Sequence, residues 1–180
     1  MLTIDASVIV AAGATDDPAS IDAQRFLESV LTSGLALHQP TLTVVEVTAA
    51  IARRTRDADL ARTAGLHVLS LPGLILHELD AESAGAAAAM AGQSMLRAAD
   101  AIYAATAARH DAVLVTLDEE LLARSAPMVR AMTPGQWLEH EVGPSVAGSL
   151  RDKVGRTPAD ESWEVLREAA GRTADPDRDR

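Results

Sequence analysis

The chain has 180 residues, 48% of them hydrophobic, which suits one compact domain with a sizeable core and a short appendage but not two full domains. Cysteine is absent, which excludes disulfides, thiolate zinc sites, iron-sulfur clusters and cysteine nucleophiles, and fits a reducing, cytoplasmic setting. The formal net charge of -10 opposes broad electrostatic binding of a phosphate backbone, aromatic residues are too few for a base-stacking platform, and the only lysine, Lys153, disfavours any mechanism that needs a lysine in the core.

In chain order, residues 2 to 4 form a short apolar run ending at Asp5, as expected of a buried strand in a parallel sheet; ASVIVAA either prolongs it or begins a helix. The segment lacks the basic start of a signal peptide, and no uninterrupted apolar stretch reaches the roughly 18 residues of a membrane span, so a soluble protein is expected. Asp17-Pro18 is a helix start; Ile21, Phe26, Leu27, Val30 and Leu31 supply the apolar stripe, and Gly34 the stop. LALH at 35 to 38 is read as a second strand. A helix over about 42 to 54 carries Glu46 near its beginning, and another runs from Asp57 to Leu69.

After Pro72-Gly73, LILHEL is a strand candidate, followed by an Ala-rich helix from Asp80 to Met90. A further helix spans 96 to 109 with Asp100 in its first turns, AVLV at 112 to 115 is the clearest buried strand, and a short helix over 119 to 124 follows Asp118. Residues 129 to 132 are read as a last strand before Pro134-Gly135. This alternation predicts an α/β fold whose helices flank a central, mostly parallel sheet. We place the domain at 1–140. The charged tail over 141–180 is expected to be partly disordered, with one short amphipathic helix in which Trp163, Leu166 and Ala170 share a face.

Four acids sit in apolar company. Asp5 is the only charged residue among the first fifteen, Glu46 the only one between Glu28 and Arg53, Asp100 lies within AADAIYAATAA, and Asp118 closes AVLVTL. Asp5 and Asp118 follow strands while Glu46 and Asp100 open helices, so all four can converge at the carboxyl edge of a parallel sheet. Two carboxylates ~4 Å apart repel by about 4 kcal/mol at an effective dielectric of 20, so such a crevice calls for a cation. Oxygen ligands alone match a hard ion, Mg²⁺ or Mn²⁺. Each acid also has a structural alternative: Asp5 in a strand-end turn, Asp118 as a helix N-cap, Thr43-x-x-Glu46 as a capping box, and Asp100 paired with Arg97. Arg53, Arg54, Arg56 and Arg62 form a basic cluster read either as phosphate contacts or as a solvated helix face.

The segments IDASVIVAA, VVEVTAAIARR and RAADAIYAATAARHDAVLVTLDEEL resemble the acid-bearing motifs of PIN-domain nucleases, especially the VapC-like toxins of type II bacterial toxin-antitoxin pairs. The resemblance covers roughly 1 to 140 and rests on the order and context of the motifs. It implies a PIN-like three-layer fold and a Mg²⁺-dependent endoribonuclease, with Asp5, Glu46, Asp100 and Asp118 as catalytic metal ligands. Ser7 and Thr116 match the small hydroxyl positions that support the acids. Arg97, and after it Arg53 and Arg54, are read as contacts to a substrate phosphate. The resemblance further implies an RNA substrate, a cognate antitoxin inserting a basic side chain into the crevice, and a homodimer.

Two other classes were weighed: an inactive PIN-like adaptor, and a phosphoaspartate or phosphatase-type protein, disfavoured by the missing core lysine and by Asp5-Ala6-Ser7 having no second Asp. Glu119 and Glu120 directly follow Asp118, leaving open which of them joins the site. Histidines at 38, 67, 77, 110 and 140 show no ligand spacing, so no zinc site is expected.

Overall fold

The computed structural model of the chain describes residues 1–13, 19–141, 164–165, 167–169 and 171–172. Five strands, β1 (Leu2–Ile4), β2 (Leu37–Pro40), β3 (Leu74–His77), β4 (Val113–Val115) and β5 (Ala131–Met132), form one sheet in the order β3-β2-β1-β4-β5. Every pairing is parallel. The crossovers are α1 (Ala6–Gly13), α2 (Ser20–Ser33), α3 (Leu42–Thr55), α4 (Ala58–His67), α5 (Ala81–Ser94), α6 (Ala98–Arg109) and α7 (Glu119–Ser125), with α8 (Pro134–Glu141) after the last strand. The expected α/β architecture is therefore present. Leu2, Ile4, Leu37, Leu114 and Val115 of the inner strands are buried, as a parallel sheet covered on both faces requires.

ASVIVAA is resolved as α1, whose Val8, Ile9, Ala11 and Ala12 are buried. Gly34 closes α2 in the left-handed region at φ 69. The second strand lies two residues later than the expected 35 to 38 and includes Pro40. A proline lacks the N–H that a central strand must donate, yet here β1 pairs with β2 only at Leu2↔Leu37. Beyond that point the buried Gln39 replaces the ladder: with its amide turned to satisfy both ends, it accepts from Ile4 N at 2.7 Å and donates to Ile4 O at 3.0 Å. Past Leu2 the two strands are therefore joined by side chains, Gln39 to Ile4 and Thr3 Oγ1 to the His38 carbonyl at 2.9 Å, in place of a backbone ladder.

A helix not expected from the sequence, α8, begins at Pro134, directly after the last strand. Pro134 occupies the first helical position, where a missing N–H costs nothing, and Thr133 and Gln136 cap reciprocally, Gln136 N to Thr133 Oγ1 at 3.2 Å and Thr133 N to Gln136 Oε1 at 2.9 Å. Trp137, 4% exposed, meets Phe26 of α2 edge-to-face with ring centroids 5.0 Å apart.

In the tail, Trp163, Leu166 and Ala170 lie outside the described residues. Ala169 is fully buried in the core cluster, and a Cβ on Gly171 would stand 3.0 Å from the Gly13 carbonyl. Among the described residues, no helix is long and apolar enough to cross a membrane.

Candidate metal-binding carboxylate site

Each acid reaches the carboxyl edge of the sheet by a different local rule. Asp5 follows β1 directly; its Oδ2 accepts from Ser7 Oγ at 2.5 Å and Thr116 Oγ1 at 2.8 Å, and the residue is 9% exposed. Ser7 Oγ also accepts from Leu117 N at 3.3 Å, and Thr116 Oγ1 from Asp118 N at 3.0 Å, so the two hydroxyls stitch β1 to the loop after β4. Both lie where sequence reasoning put them, beside the first and last acids.

Asp118 is the N-cap of α7: its Oδ1 accepts from Glu120 N at 2.8 Å and Leu121 N at 3.0 Å. Its Oδ2 is left to face Arg97 Nη2 at 3.4 Å. Capping and facing the crevice are thus shared between two oxygens of one carboxylate. Asp100, in the first turn of α6, has a buried Oδ2 that makes no hydrogen bond but is ion-paired with Arg97 Nε at 3.6 Å. Glu46 is not a capping-box partner, since Thr41 is the N-cap of α3 and no side chain caps that helix.

The four carboxylates act on one another electrostatically. Burial, and then the charges of Asp5 and Asp100, hold Glu46 above the usual carboxylate range against the opposing influence of the Tyr103 hydroxyl and Arg53. Burial likewise raises Asp100, with Arg97 pulling it down and Asp118, Asp5 and Glu120 pushing it up. Tyr103, buried between Glu46 and the core, is pushed well above its ordinary value, first by burial and then by Glu46, so it stays a neutral phenol.

The arrangement is open. Among the described residues, no three carboxylates bring one oxygen each within 4.8 Å of one another. That spacing leaves no closed three-carboxylate cage, so a divalent ion held here would complete its shell with water. A buried Asp100 oxygen with an ion pair but no hydrogen bond, and two acids held above their normal range, are features such an ion would relieve.

Arg97 is the cation present. Besides Asp100 and Asp118 it binds Glu120 Oε2 at 2.8 Å, and Glu120 Oε1 accepts from Arg124 at 2.9 Å. The Arg97 hydrogen bond holds Glu120 below its usual range. Glu120 therefore belongs to an ion-pair network on the rim, and Glu119 is exposed. Arg53 is exposed at the end of α3 and close enough to influence Glu46, whereas Arg54 is half-buried with its Nε making no hydrogen bond.

The raised acids set the sign of a pH effect. A carboxyl group whose folded pKa lies above its unfolded value binds more protons when folded, so stability falls as pH rises from the ordinary carboxylate range through the raised value. In chelator, Asp100→Asn is expected to be more stable than wild type near pH 7.5, read as a higher Tm. The gap should shrink near pH 4.5, and Mg²⁺ should narrow it at pH 7.5. Melting curves in which the gap is the same at both pH values would contradict this account of Asp100.

An all-parallel α/β sheet whose carboxyl edge carries Asp5 after β1 and Asp118 after β4, with Glu46 and Asp100 near the starts of α3 and α6, places the chain in the α/β class. More particularly, it belongs to the PIN domain family, whose model matches residues 2–126.

Solved structures agree on the fold. The structure of FitAB bound to an IR36 DNA fragment is similar at 19% identity and a TM-score of 0.58, over 75% of this chain and 96% of that one. FitAcB from Neisseria gonorrhoeae is similar at 22% identity and a TM-score of 0.57, over 74% and 98%. VapBC2 from Rickettsia felis, bound to a DNA fragment from its promoter, follows at 14% identity and a TM-score of 0.54, over 73% and 97%. No curated protein sequence matches this chain.

One convergence was not expected from the sequence. His38, His77 and His110, from three separate elements, stack side by side, with ring centroids 4.0 to 5.2 Å apart. Their sequence spacings of 39 and 33 residues fit no ligand motif; the signal lies in the register, which pairs His77 with Pro40, two residues from His38.

Proposed function

We propose that this chain is a Mg²⁺-dependent endoribonuclease, the toxin of a toxin-antitoxin pair, with Asp5, Glu46, Asp100 and Asp118 as the metal-binding catalytic set. The observation that carries the reading is the electrostatic coupling of these acids at one sheet edge, where a buried Asp100 oxygen has an ion pair to Arg97 at 3.6 Å but no hydrogen bond. Membership of the PIN family and the VapC-like motifs support it, as does the likeness to the FitAB and VapBC2 structures. Mn²⁺ has the same oxygen preference and is expected to substitute.

Asp5, Glu46, Asp100 and Asp118 would hold the metal, which would supply activation of a water for phosphodiester hydrolysis and charge stabilisation at the leaving oxygen. The chain's own groups supply position. Ser7 and Thr116 fix the Asp5 carboxylate from one side, and the N-cap role of Asp118 pins its carboxylate at a helix start. Arg97 is 65% exposed in its side chain and can exchange Glu120 for a substrate phosphate by a forked contact. Arg53, exposed two helical turns beyond Glu46, offers a second phosphate contact; Arg54 is a weaker candidate because its stem is half-buried.

A crevice of this sign in a chain of net charge -10 also suits a protein inhibitor that delivers a basic side chain, which is the antitoxin the reading calls for. Homodimer formation is supported by the apolar side chains exposed on and near the edge strand β3, Ile75, Leu76 and Leu79. The domain is placed at 1–140, with 141–180 as an appendage, and the protein in the cytoplasm.

The test is direct. Purified protein should cut RNA in Mg²⁺, stop in chelator and resume when Mg²⁺ or Mn²⁺ is restored. RNA left intact by folded protein in Mg²⁺, across several unrelated substrates, would refute the proposal.

A further inference from the structure

At the far end of α6 from Asp100, a second cluster gathers. His38 is the second residue of β2, His77 the last of β3, and His110 closes α6. His38 Nδ1 and His77 Nε2 lie 3.0 Å apart, and one nitrogen from each of the three rings lies within 4.8 Å of the other two. Ligands at about 2.1 Å from a tetrahedral ion stand roughly 3.4 Å from one another, so closing the set around one ion requires the stacked rings to turn toward it. His110 Nε2 is buried and makes no hydrogen bond, although a buried imidazole nitrogen normally has a partner.

All three imidazoles are held below their ordinary range, chiefly by burial and for His38 and His77 next by His110. Burial therefore favours the neutral, metal-binding form of each ring. His77 and His110 border a cavity of about 200 Å³ between α5, α6 and β3, whose wall includes Glu78, Asp80 and Thr106. Arg109, on the same wall, pairs with Glu82 at 2.9 Å, so its charge is already partly answered.

We propose that His38, His77 and His110 form a binding site for a borderline-soft transition metal of the Zn²⁺, Co²⁺ or Ni²⁺ class, with the remaining coordination position open to this cavity. Imidazole suits these ions and not Mg²⁺, so the two clusters select different metals. They are also spatially separate, since ten residues of α6 span about 15 Å. A metal here would tie the edge strand β3 to β2 and to the end of α6.

Untagged full-length protein, freed of metal and held in excess Mg²⁺, is titrated with Co²⁺ and Zn²⁺. We expect one equivalent of Co²⁺ to bind with visible d–d absorption and Zn²⁺ to displace it. His77→Ala and His110→Ala should each weaken binding by about 100-fold or more, while Asp5→Asn leaves it unchanged. Because Asp5→Asn removes the proposed nuclease but not this site, failure of one proposal does not mimic failure of the other. If a histidine variant does not fold, proton spectra of Co²⁺-loaded wild type should still show three paramagnetically shifted, exchangeable imidazole N–H signals. Absence of those signals, binding that survives both histidine substitutions, or binding lost in Asp5→Asn would overturn the proposal.

Discussion

Asp5→Asn is expected to lower Mg²⁺-dependent RNA cleavage by about 10³-fold or more, a barrier increase of about 4 kcal/mol, while leaving the fold intact. Asn has the same shape, and its side-chain oxygen can still accept the hydrogen bonds that Ser7 and Thr116 donate to Oδ2. What disappears is the charge. The other three acids then face a hard cation with one anion fewer, in a site where no three carboxylate groups close around an ion and waters fill the rest of the shell. Thermal midpoint and circular dichroism check the fold, and single-turnover cleavage of a defined RNA checks the rate. A rate within a few-fold of wild type would remove Asp5 from the catalytic set.

Trp137→Ala is expected to destabilise the domain by about 3–5 kcal/mol, read by denaturant unfolding. Trp137 is 4% exposed and packs edge-to-face on Phe26, so its loss leaves a large cavity between α8 and α2. Helix α8 lies beyond the matched family region, residues 2–126. A small effect would mean that α8 is a dispensable addition; the expected large one makes it part of the folding unit. The substitution lies away from the acids, so cleavage at a temperature where the variant is folded should persist.

The acids were legible because a charged side chain in an apolar run is costly unless something compensates it, and Asp5, Glu46, Asp100 and Asp118 each break such a run. The alternation of strands and helices was legible because each apolar run was followed by a helical pattern, whereas the spatial order β3-β2-β1-β4-β5 was not read from the sequence. The boundaries of β2 were not: Pro40 argues against a central strand, and only the side chain of Gln39, standing in for a backbone partner of Ile4, makes its presence there possible. Helix α8 was missed because Pro134-Gly135 reads as a terminator, although Thr133 and Gln136 around it already spelled a capping box. The histidine trio was invisible to spacing rules because strand register and a helix end, not sequence distance, bring it together.

Strand β1 sits at the centre of the sheet, yet its long pairing is with β4, Leu2↔Val113 through Ile4↔Val115, across more than a hundred residues of intervening chain. So distant a contact closes late, after the loop entropy of everything between has been lost. During synthesis, Asp5 emerges first and Asp118 near the end of the domain, with Thr116 needed to anchor the one to the other. A nascent or truncated chain that ends before this point holds only part of the acid set. If the chain is the nuclease proposed, such fragments should be harmless to the cell that makes them, and cutting power would arise only once the last third of the domain is in place.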